Sequence, residues 1–316
     1  MNRILIIQTA FLGDVILATP VISELKRISP DAIVDILVKS GNESLLENNP
    51  NLNRIHVFNK KSGKLKGIFS LIKAFRKNKY DLIINLHRFG SSGIIAGLSG
   101  GKKVIGYKKN PFSFLYSERF EHRIGDGTHE VERNLSLINH LGGRNYSRPE
   151  LFPSEADLEV VKPFSNGAYV TMAPASVWFT KQLPKEKWIE LIDQQSTDHL
   201  VYLLGAPGDN ELCVDLVSND KVINLAGKLS LLQSAALMKN AKMNFVNDSG
   251  PLHLASSVNA PTTAFFCSTD LSFGFGPLAE NRTVKEVKNL DCRPCGLHGH
   301  KNCPEGHFKC GHGMPL

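Results

Sequence analysis

Apolar positions in the first half of the chain alternate between short runs of strand length and longer stretches with helical spacing. The segment Arg3 to Thr9 is apolar and rich in β-branched residues, whereas Val15 to Ile28 repeats its apolar residues at helical intervals. The pattern predicts further strands at Ile33 to Val38, Leu82 to Leu86 and Lys103 to Gly106, and further helices at Lys66 to Lys77, Gly90 to Leu98 and Thr128 to Leu141. Alternating strands and helices predict a parallel sheet in this half.

A proline-bearing stretch, Arg148 to Pro153, interrupts the alternation, which then starts again. Strands are predicted at Ala168 to Met172, Leu200 to Leu204, Val222 to Asn224, Met243 to Val246 and Thr262 to Phe266, and helices at Lys185 to Gln194, Asn210 to Val217, Leu231 to Lys239 and Pro251 to Val258. We therefore predict an α/β protein with two doubly wound, Rossmann-like domains facing across a cleft. The expected division is a first domain at 1–150, a linker at 151–166, a second domain at 167–290 and a Cys/His-rich tail at 291–316.

Positive charge is concentrated in one part of the first domain. The chain of 316 residues has a formal charge of +7, and between Arg54 and Arg123 we count 16 Lys or Arg against 3 Asp or Glu. Nucleic acid, an anionic membrane surface and a phosphorylated substrate all fit such a region. For single residues such as Lys60, Lys61 and Lys64, a solvated surface is the simpler interpretation. We expect no nucleic-acid partner, because the stretch lacks a recognised reading motif and interleaved stacking aromatics.

The early apolar run is too short for a secretion signal or a membrane span. Ile4 to Ile7 is followed at once by Gln8, whereas a signal peptide or a membrane helix needs a longer apolar segment. We therefore expect a cytoplasmic protein.

The segment Asn247 to Ala255 follows a predicted strand and suits the start of a helix that binds an anion. Asp248 or Ser249 can cap the helix, Pro251 fits its first turn, and Gly250 lets a ligand approach the backbone N–H groups. Such N–H groups attract phosphate. An ordinary capped helix explains the same residues.

Two other loops follow predicted strands. The first contains Gly13 and Asp14 but no G-x-G-x-x-G, which argues against a nicotinamide enzyme; Asp14 is either a helix cap or a general base. The second contains Ser176, Thr180 and Lys181, which can hold a diphosphate, although an exposed loop lysine is equally plausible for Lys181.

Short motifs stand in a characteristic order along nearly the whole chain. They are Gly13-Asp14-Val15 with Thr19-Pro20, Asn85-Leu86 before Ser91 and Ser92, Gly106-Tyr107, His129 to Leu135, Lys181 to Pro184 with Trp188, Leu225 to Lys228, and Asn247 to Ala255. In this order they resemble the glycosyltransferase family that includes the ADP-heptose:lipopolysaccharide heptosyltransferases of Gram-negative bacteria. The resemblance implies a GT-B fold, with the acceptor bound by the first domain and ADP-heptose by the second.

The resemblance also implies an inverting transfer that needs no metal, for which we expect the lipopolysaccharide core at the cytoplasmic membrane surface as acceptor. Asp14 would be the general base and Lys181 would stabilise the leaving diphosphate. The sugar of the donor would contact Asp248, and its phosphate oxygens would contact Ser249 and Gly250. His253 would line the donor site. Asp209 or Glu211 suits the ribose, although Asp209 equally suits a helix cap. Acceptor candidates are Gly13, Arg88, Ser91, Lys102 and Lys103.

Other interpretations stay open at this stage. A relative can use another nucleotide sugar or acceptor, because few contacts set that choice. A noncatalytic protein that binds a nucleotide sugar or a polyanion is an alternative of a different class. His129 and Arg133 lie one helical turn apart, and a purely structural helix is the simpler explanation for them.

The tail concentrates four of the six cysteines. Cys292, Cys295, Cys303 and Cys310 have the ligand type and close spacing of a structural zinc site, although the spacing is not that of a standard finger. Reduced structural cysteines and disulfides are the alternatives, and a reducing cytosol disfavours disulfides.

Overall fold

The computed structural model describes residues 1–59 and 63–316, which form two compact units, Met1–Phe152 and Pro153–Leu316. Lys60 and Lys61 of the basic region lie outside the described residues. Each unit contains one six-stranded sheet in which all strand pairs are parallel. The predicted α/β organisation with two parallel sheets is confirmed.

The first sheet has its most buried strand in the middle. Its strands are β1 (Arg3–Gln8), β2 (Ile33–Lys39), β3 (Arg54–Phe58), β4 (Leu82–Asn85), β5 (Lys103–Tyr107) and β6 (Glu118–Phe120). They lie in the order β3-β2-β1-β4-β5-β6, and Ile4 to Ile7 of β1 are fully buried. Burial on both faces explains why β1 is a continuous apolar run rather than an alternating one. The strand order changes direction between β1 and β4, and ligands of open α/β sheets bind at the carboxyl ends of such strands.

The helices of the first unit cover both faces of this sheet. They are α1 (Leu12–Ile16), α2 (Thr19–Ile28), α3 (Lys64–Asn78), α4 (Gly90–Leu98) and α5 (Glu130–Ser136). The buried side of α3 consists of Ile68, Ile72 and Phe75, which pack in one cluster with Leu5 and Ile83 of the sheet. A long basic helix is thus attached to the sheet by one apolar side.

The predicted single helix Val15 to Ile28 is wrong, because the structure divides it into α1 and α2. Pro20 has no N–H group, so the Ile16 carbonyl has no helical donor at that position. The Thr19 hydroxyl donates to this carbonyl instead, at 2.8 Å. It also accepts a hydrogen bond from the Glu150 N–H at 3.0 Å, so it joins the helix break to the end of the unit.

Replacing the buried Thr19 by Val is expected to lower the free energy of unfolding by about 1–3 kcal/mol, because it leaves the buried Ile16 carbonyl and the partly buried Glu150 N–H without their partner. Urea denaturation measures the change. Thr197→Val is a matched control, since the Thr197 hydroxyl makes only an exposed contact with the Asp193 carbonyl. Equal losses in the two variants would contradict this role of Thr19.

Three strands are not predicted by the pattern of apolar residues, and each lies at the edge of a sheet. β3 and β6 form the edges of the first sheet, and β12 (Arg282–Glu286) forms one edge of the second. Most residues of these strands are exposed or only half-buried. An edge strand needs no continuous apolar run, so its sequence lacks the pattern that identified the central strands.

The second unit repeats the architecture of the first. Its other strands are β7 (Tyr169–Ala173), β8 (Leu200–Leu203), β9 (Val222–Asn224), β10 (Asn244–Asn247) and β11 (Thr262–Phe266). Its helices are α6 (Glu155–Val161), α7 (Lys185–Ser196), α8 (Asn210–Val214), α9 (Leu231–Asn240), α10 (Gly250–Ser257) and α11 (Lys309–His312). The strand order β12-β11-β10-β7-β8-β9 places β7 beside β10, so the loops after these two strands leave the sheet at the same edge.

Residues 153–166 of the predicted linker and the whole predicted tail belong to this second unit. The stretch 151–166 contains α6, which begins because Ser154 and Asp157 form a reciprocal capping box. The tail contributes Phe308, Cys310 and Met314 to the apolar core of the unit. The last 25 or so residues therefore complete this core rather than extend from it.

Among the described residues, no helix is both long and apolar enough to cross a membrane.

Candidate active site

Asn247 fixes the turn between β10 and α10. Its side-chain carbonyl accepts a hydrogen bond from the Leu183 N–H at 2.9 Å, and its amide donates to the Pro174 carbonyl at 2.8 Å. The residue is fully buried. One side chain therefore holds the turn after β10 against both ends of the loop that follows β7, and the two predicted donor-binding segments are neighbours.

The N-terminus of α10 is not closed by a side chain. Ser249 occupies the capping position with an extended backbone, yet within the part of the chain that the structure describes its side chain accepts from none of the first N–H groups of this helix. The Ser249 hydroxyl instead faces the Asn247 carbonyl at 3.4 Å. The ordinary capped helix predicted as the alternative is therefore not formed by Asp248 or Ser249. Unsatisfied N–H groups and the helix dipole favour an anion at this position.

Asp248 and Lys181 form a buried ion pair between these two loops. The Lys181 ammonium lies 2.6 Å from Oδ2 of Asp248, with side-chain exposures of 15% and 6%. The Thr269 hydroxyl donates to the same oxygen at 2.6 Å. No hydrogen bond among the described residues uses the other oxygen, Oδ1 of Asp248. An ammonium has three N–H donors, so Lys181 can contact Asp248 and still donate to a ligand.

Thr269 and Arg293 are parts of this arrangement that the sequence motifs did not predict. The Arg293 guanidinium donates to the Thr269 carbonyl and to the Cys267 carbonyl, each at 2.7 Å, and pairs with Glu286 at 2.7 Å. Arg293 therefore fixes the segment after β11 that carries Thr269. For Thr269, the only signal in the sequence was its position after the carboxyl end of a strand.

Thr180 is buried, and its hydroxyl is used in hydrogen bonds within the second unit. It is 1% exposed, and its hydroxyl accepts from the His300 N–H at 2.8 Å and pairs with the Ser268 hydroxyl at 3.0 Å. It thereby joins the loop after β7 to the tail. Ser176 is half-buried in the same loop, and its backbone carbonyl accepts from the Gln182 amide at 2.6 Å. Lys181 and Ser176 are thus the more accessible of the three predicted diphosphate contacts.

The residues suggested for the ribose lie after β8. The Asp209 carboxylate accepts from the Ala206 N–H at 2.7 Å, at the start of the short turn before α8. Asp209 occupies the capping position of α8, but among the described residues its side chain makes no capping hydrogen bond to that helix. Glu211 is exposed at the start of α8. His253 is 6% exposed on α10.

Asp14 lies in the first turn of α1, the helix that follows the carboxyl end of β1. The residue is half-buried in dense surroundings, and this desolvation raises the pKa of its carboxyl group to about 7. The negative charge of Glu130 raises the pKa further, while the Phe11 N–H and the Arg88 guanidinium oppose the rise. A carboxyl group that titrates near neutral pH is suited to accept a proton.

Glu130 is a second functional candidate, to which the sequence motifs assigned no role. It is 5% exposed, and its carboxylate accepts from Arg133 at 2.8 Å and contacts His122 at 3.2 Å. Burial opposes its ionisation, but His122 and Arg133 more than offset this effect and lower its pKa. Its charge therefore persists beside Asp14. His129 caps α5 in a capping box with Glu132, as the structural interpretation of this helix predicted.

The loop after β4 is held rigidly by polar contacts. The His87 carbonyl accepts from the Ser92 hydroxyl and from the Asn110 amide, each at 3.0 Å, and the His87 ring contacts the Thr9 hydroxyl at 2.8 Å. Arg88 lies in this loop and Ser91 lies in the first turn of α4, and both are half-buried. Arg88 acts on Asp14 electrostatically, so these residues lie at the same edge of the first sheet.

Two lysines proposed for the acceptor are used in ion pairs of the first unit. Lys102 pairs with Asp81 at 2.7 Å, and Lys103 pairs with Glu118 at 2.6 Å. Gly13 precedes Asp14 within α1. The structure therefore brings Gly13, Asp14 and Arg88 together and gives Lys102 and Lys103 other partners.

The cysteines of the tail are free thiols that lie near one another. Burial raises the pKa of Cys310 to about 11, and the other three tail thiols raise it further. Burial also raises the pKa of Cys295, and Cys292 and Cys303 add to that rise. Within residues 1–59 and 63–316, no three Cys, His, Asp or Glu side chains are arranged to hold a metal ion. Reduced thiols, one of the three alternatives, describe this arrangement. A structural zinc stays a prediction, which metal analysis of the purified protein tests.

Comparison with known proteins identifies one family. The sequence model of glycosyltransferase family 9 (heptosyltransferase) matches residues 68–308. Lipopolysaccharide heptosyltransferase 3 of Escherichia coli strain K12 is 31% identical over 287 residues, which cover 85% of this chain and 83% of that protein. The resemblance seen in the motifs is thereby confirmed over most of the sequence.

Solved structures confirm the fold. The glycosyl transferase family 9 protein of Veillonella parvula DSM 2008 has a TM-score of 0.81 at 22% identity, covering 90% of this chain and 85% of that one. The E. coli ADP-heptose lps heptosyltransferase II has a TM-score of 0.77 at 22% identity, covering 93% and 96%. The predicted GT-B architecture, with two doubly wound α/β sheets, is confirmed by this agreement.

Proposed function

Because the chain belongs to glycosyltransferase family 9, the heptosyltransferase family, we propose that it transfers a heptosyl group from ADP-heptose to the inner core of lipopolysaccharide, either Kdo-lipid A or an already heptosylated core. The proposal assigns the reaction to the cytoplasm, with inversion at the anomeric carbon and no catalytic metal. Asp14 carries the proposal, because its carboxyl group has a pKa of about 7 at the carboxyl end of β1.

In the proposed reaction, an acceptor hydroxyl gives its proton to the Asp14 carboxylate while its oxygen attacks the anomeric carbon of the donor. The bond from that carbon to the diphosphate oxygen breaks, and ADP leaves with the electron pair. Lys181 neutralises the negative charge that develops on the diphosphate. A positioned cation stabilises such charge strongly in a site that excludes water. Ser249, Gly250 and the open N-terminus of α10 suit the phosphate oxygens.

Asp248 suits the heptose rather than the diphosphate. A carboxylate facing phosphate oxygens would repel them, whereas its Oδ1 atom can accept a hydrogen bond from a sugar hydroxyl. Thr269 and Lys181 hold Oδ2 at 2.6 Å each and fix the direction in which Oδ1 points. The proposed division of labour is therefore phosphate at Ser249 and Gly250, and sugar at Asp248.

The experiment is transfer of heptose from ADP-heptose to heptose-deficient lipopolysaccharide, followed with and without a chelator. Transfer that is unaffected by the chelator is expected. Transfer only from another sugar nucleotide would replace the donor but keep the reaction class. Binding of sugar nucleotides without any transfer would favour a noncatalytic role and contradict the proposal.

The pH dependence of kcat/KM is expected to rise through an apparent pKa near 7, because the proposed base acts only when Asp14 has lost its proton. Glu130→Gln removes a negative charge that raises this pKa, so the rise is expected at lower pH. Kinetic measurements from pH 5 to about 9 follow the shift.

Glu132→Gln is the matched control for this prediction. Glu132 lies on the same helix but accepts from the His129 N–H, and it is not among the main influences on the pKa of Asp14. An unchanged profile in Glu130→Gln, or an equal shift in Glu132→Gln, would contradict the electrostatic role of Glu130.

A further inference from the structure

The outer side of α3 exposes two large apolar residues. The Leu65 side chain is 70% exposed and that of Phe69 is 68% exposed, although the opposite side of α3 is packed into the core. Leu65, Phe69, Lys73 and Lys77 follow one another at four-residue intervals, so they lie along one side of the helix. Lys66 is exposed beside them. We call these five residues the α3 surface.

The positive charge of the α3 surface is not neutralised by the protein. The helix contains Lys64, Lys66, Lys73, Arg76 and Lys77 and no acidic residue. Among the described residues, no ion pair involves Lys66, Lys73 or Lys77.

The surrounding acids are used elsewhere. Between Arg54 and Arg123 the sequence has three acidic residues, and all three pair with lysines outside α3. These pairs are Lys102 with Asp81, Lys103 with Glu118, and Lys108 with Glu121. The five basic residues of α3 therefore keep their charge, and Lys66, Lys73 and Lys77 are exposed where a partner can reach them.

We propose that the α3 surface docks the protein on an anionic lipid bilayer. Exposed Leu and Phe side chains between lysines match a membrane interface, since apolar groups enter the boundary with the acyl chains while the ammonium groups meet lipid phosphates. Because its other side is held by the sheet, α3 lies on such a surface and does not insert across it. A nucleic acid would account for the lysines but not for the exposed Leu65.

The inference is independent of the reaction proposed above, although it agrees with it. A lipid-linked acceptor is presented at a bilayer surface, and docking would bring the first unit to it. Vesicle binding needs neither donor nor acceptor. Loss of docking and loss of transfer are therefore separate results.

The test is cosedimentation of the full chain with vesicles at low salt, using phosphatidylcholine alone or phosphatidylcholine mixed with phosphatidylglycerol. Binding to the mixed vesicles that weakens with salt is expected. Lys66→Gln/Lys73→Gln/Lys77→Gln is expected to weaken it by about 100-fold, since each lysine near an anionic surface contributes roughly a factor of five. Leu65→Ser/Phe69→Ser is expected to weaken it by at least about tenfold.

Two matched controls keep the test specific. Phe114→Ser removes another phenylalanine of the first unit with the same 68% exposure, and Lys239→Gln/Lys242→Gln removes charge from the second unit. Both are expected to bind vesicles like the unchanged protein. Circular dichroism melting confirms that the α3 variants remain folded.

Three outcomes would overturn the proposal. They are equal binding to the two kinds of vesicle, equal losses in the control variants, and no vesicle binding by the unchanged chain. If the unchanged chain did not bind vesicles but bound single-stranded DNA through the same lysines, the α3 surface would be a nucleic-acid site instead.

Discussion

Replacing Asp14 by Asn is expected to lower the rate of heptosyl transfer by at least about 100-fold, because general-base catalysis contributes about 10²–10⁴ to a rate. Asparagine has nearly the same shape but cannot accept the proton of the acceptor hydroxyl. The measurement is kcat with ADP-heptose and heptose-deficient lipopolysaccharide. Full activity in Asp14→Asn would exclude the proposed mechanism.

The stability of Asp14→Asn supplies a control. The folded protein raises the pKa of Asp14 from 3.8 to about 7, so the contribution of this group to stability is complete below its ordinary pKa and is lost as the pH rises through about 7. Asparagine carries no charge to desolvate. At pH 8, Asp14→Asn should therefore melt no lower than the unchanged protein, and a collapse of its melting temperature would mean that lost activity reflects unfolding.

Replacing Lys181 by Met is expected to lower kcat by about 10²–10³, the usual effect of removing one group that stabilises developing negative charge. The loss should appear mainly in kcat, since the charge on the diphosphate grows in the transition state. Lys185→Met is the control. Lys185 forms an exposed ion pair with Asp215 at 2.7 Å, so its removal should leave transfer unchanged.

Stability and catalysis separate in the double variant Lys181→Met/Asp248→Asn. Lys181→Met alone leaves the buried Asp248 without its cation, and breaking a buried pair typically costs about 3–5 kcal/mol. The double variant removes both charges and should recover much of that loss in urea denaturation. Recovered stability without recovered transfer is expected. If transfer returned with stability, Lys181 would serve the fold and not the leaving group.

The central elements of both units could be predicted from the sequence, because the pattern that reveals them is local. β1, β4, β7 and β10 are buried on both faces; β1 and β4 are mostly apolar runs, and β7 and β10 have apolar residues at their centres. The edge strands β3, β6 and β12 were not predicted, because their residues are largely exposed or only half-buried. The break between α1 and α2 was also missed, since it depends on Pro20 together with a hydrogen bond from Thr19 to the carbonyl of Ile16.

The candidate site was predicted in part. Asp14, Lys181 and Asp248 were identified because each follows a strand and matches a family motif. Their environment was not predictable, since the Thr269 hydroxyl that meets Asp248 is 21 residues away and the His300 N–H that meets Thr180 is 120 residues away. The structural use of Lys102 and Lys103 likewise depends on which acids the fold places beside them.

The sequence by itself determined the α/β class, the repeat of the architecture in two halves, the family and the location of the basic region. These properties depend on residue type and spacing along the chain. Only the tertiary structure decided which polar groups meet: the ion pair of Lys181 with Asp248, the charge of Glu130 beside Asp14, and the unpaired lysines of the α3 surface. The physical reason is that burial and electrostatic interaction depend on distance in space, which folding sets between residues far apart in the chain.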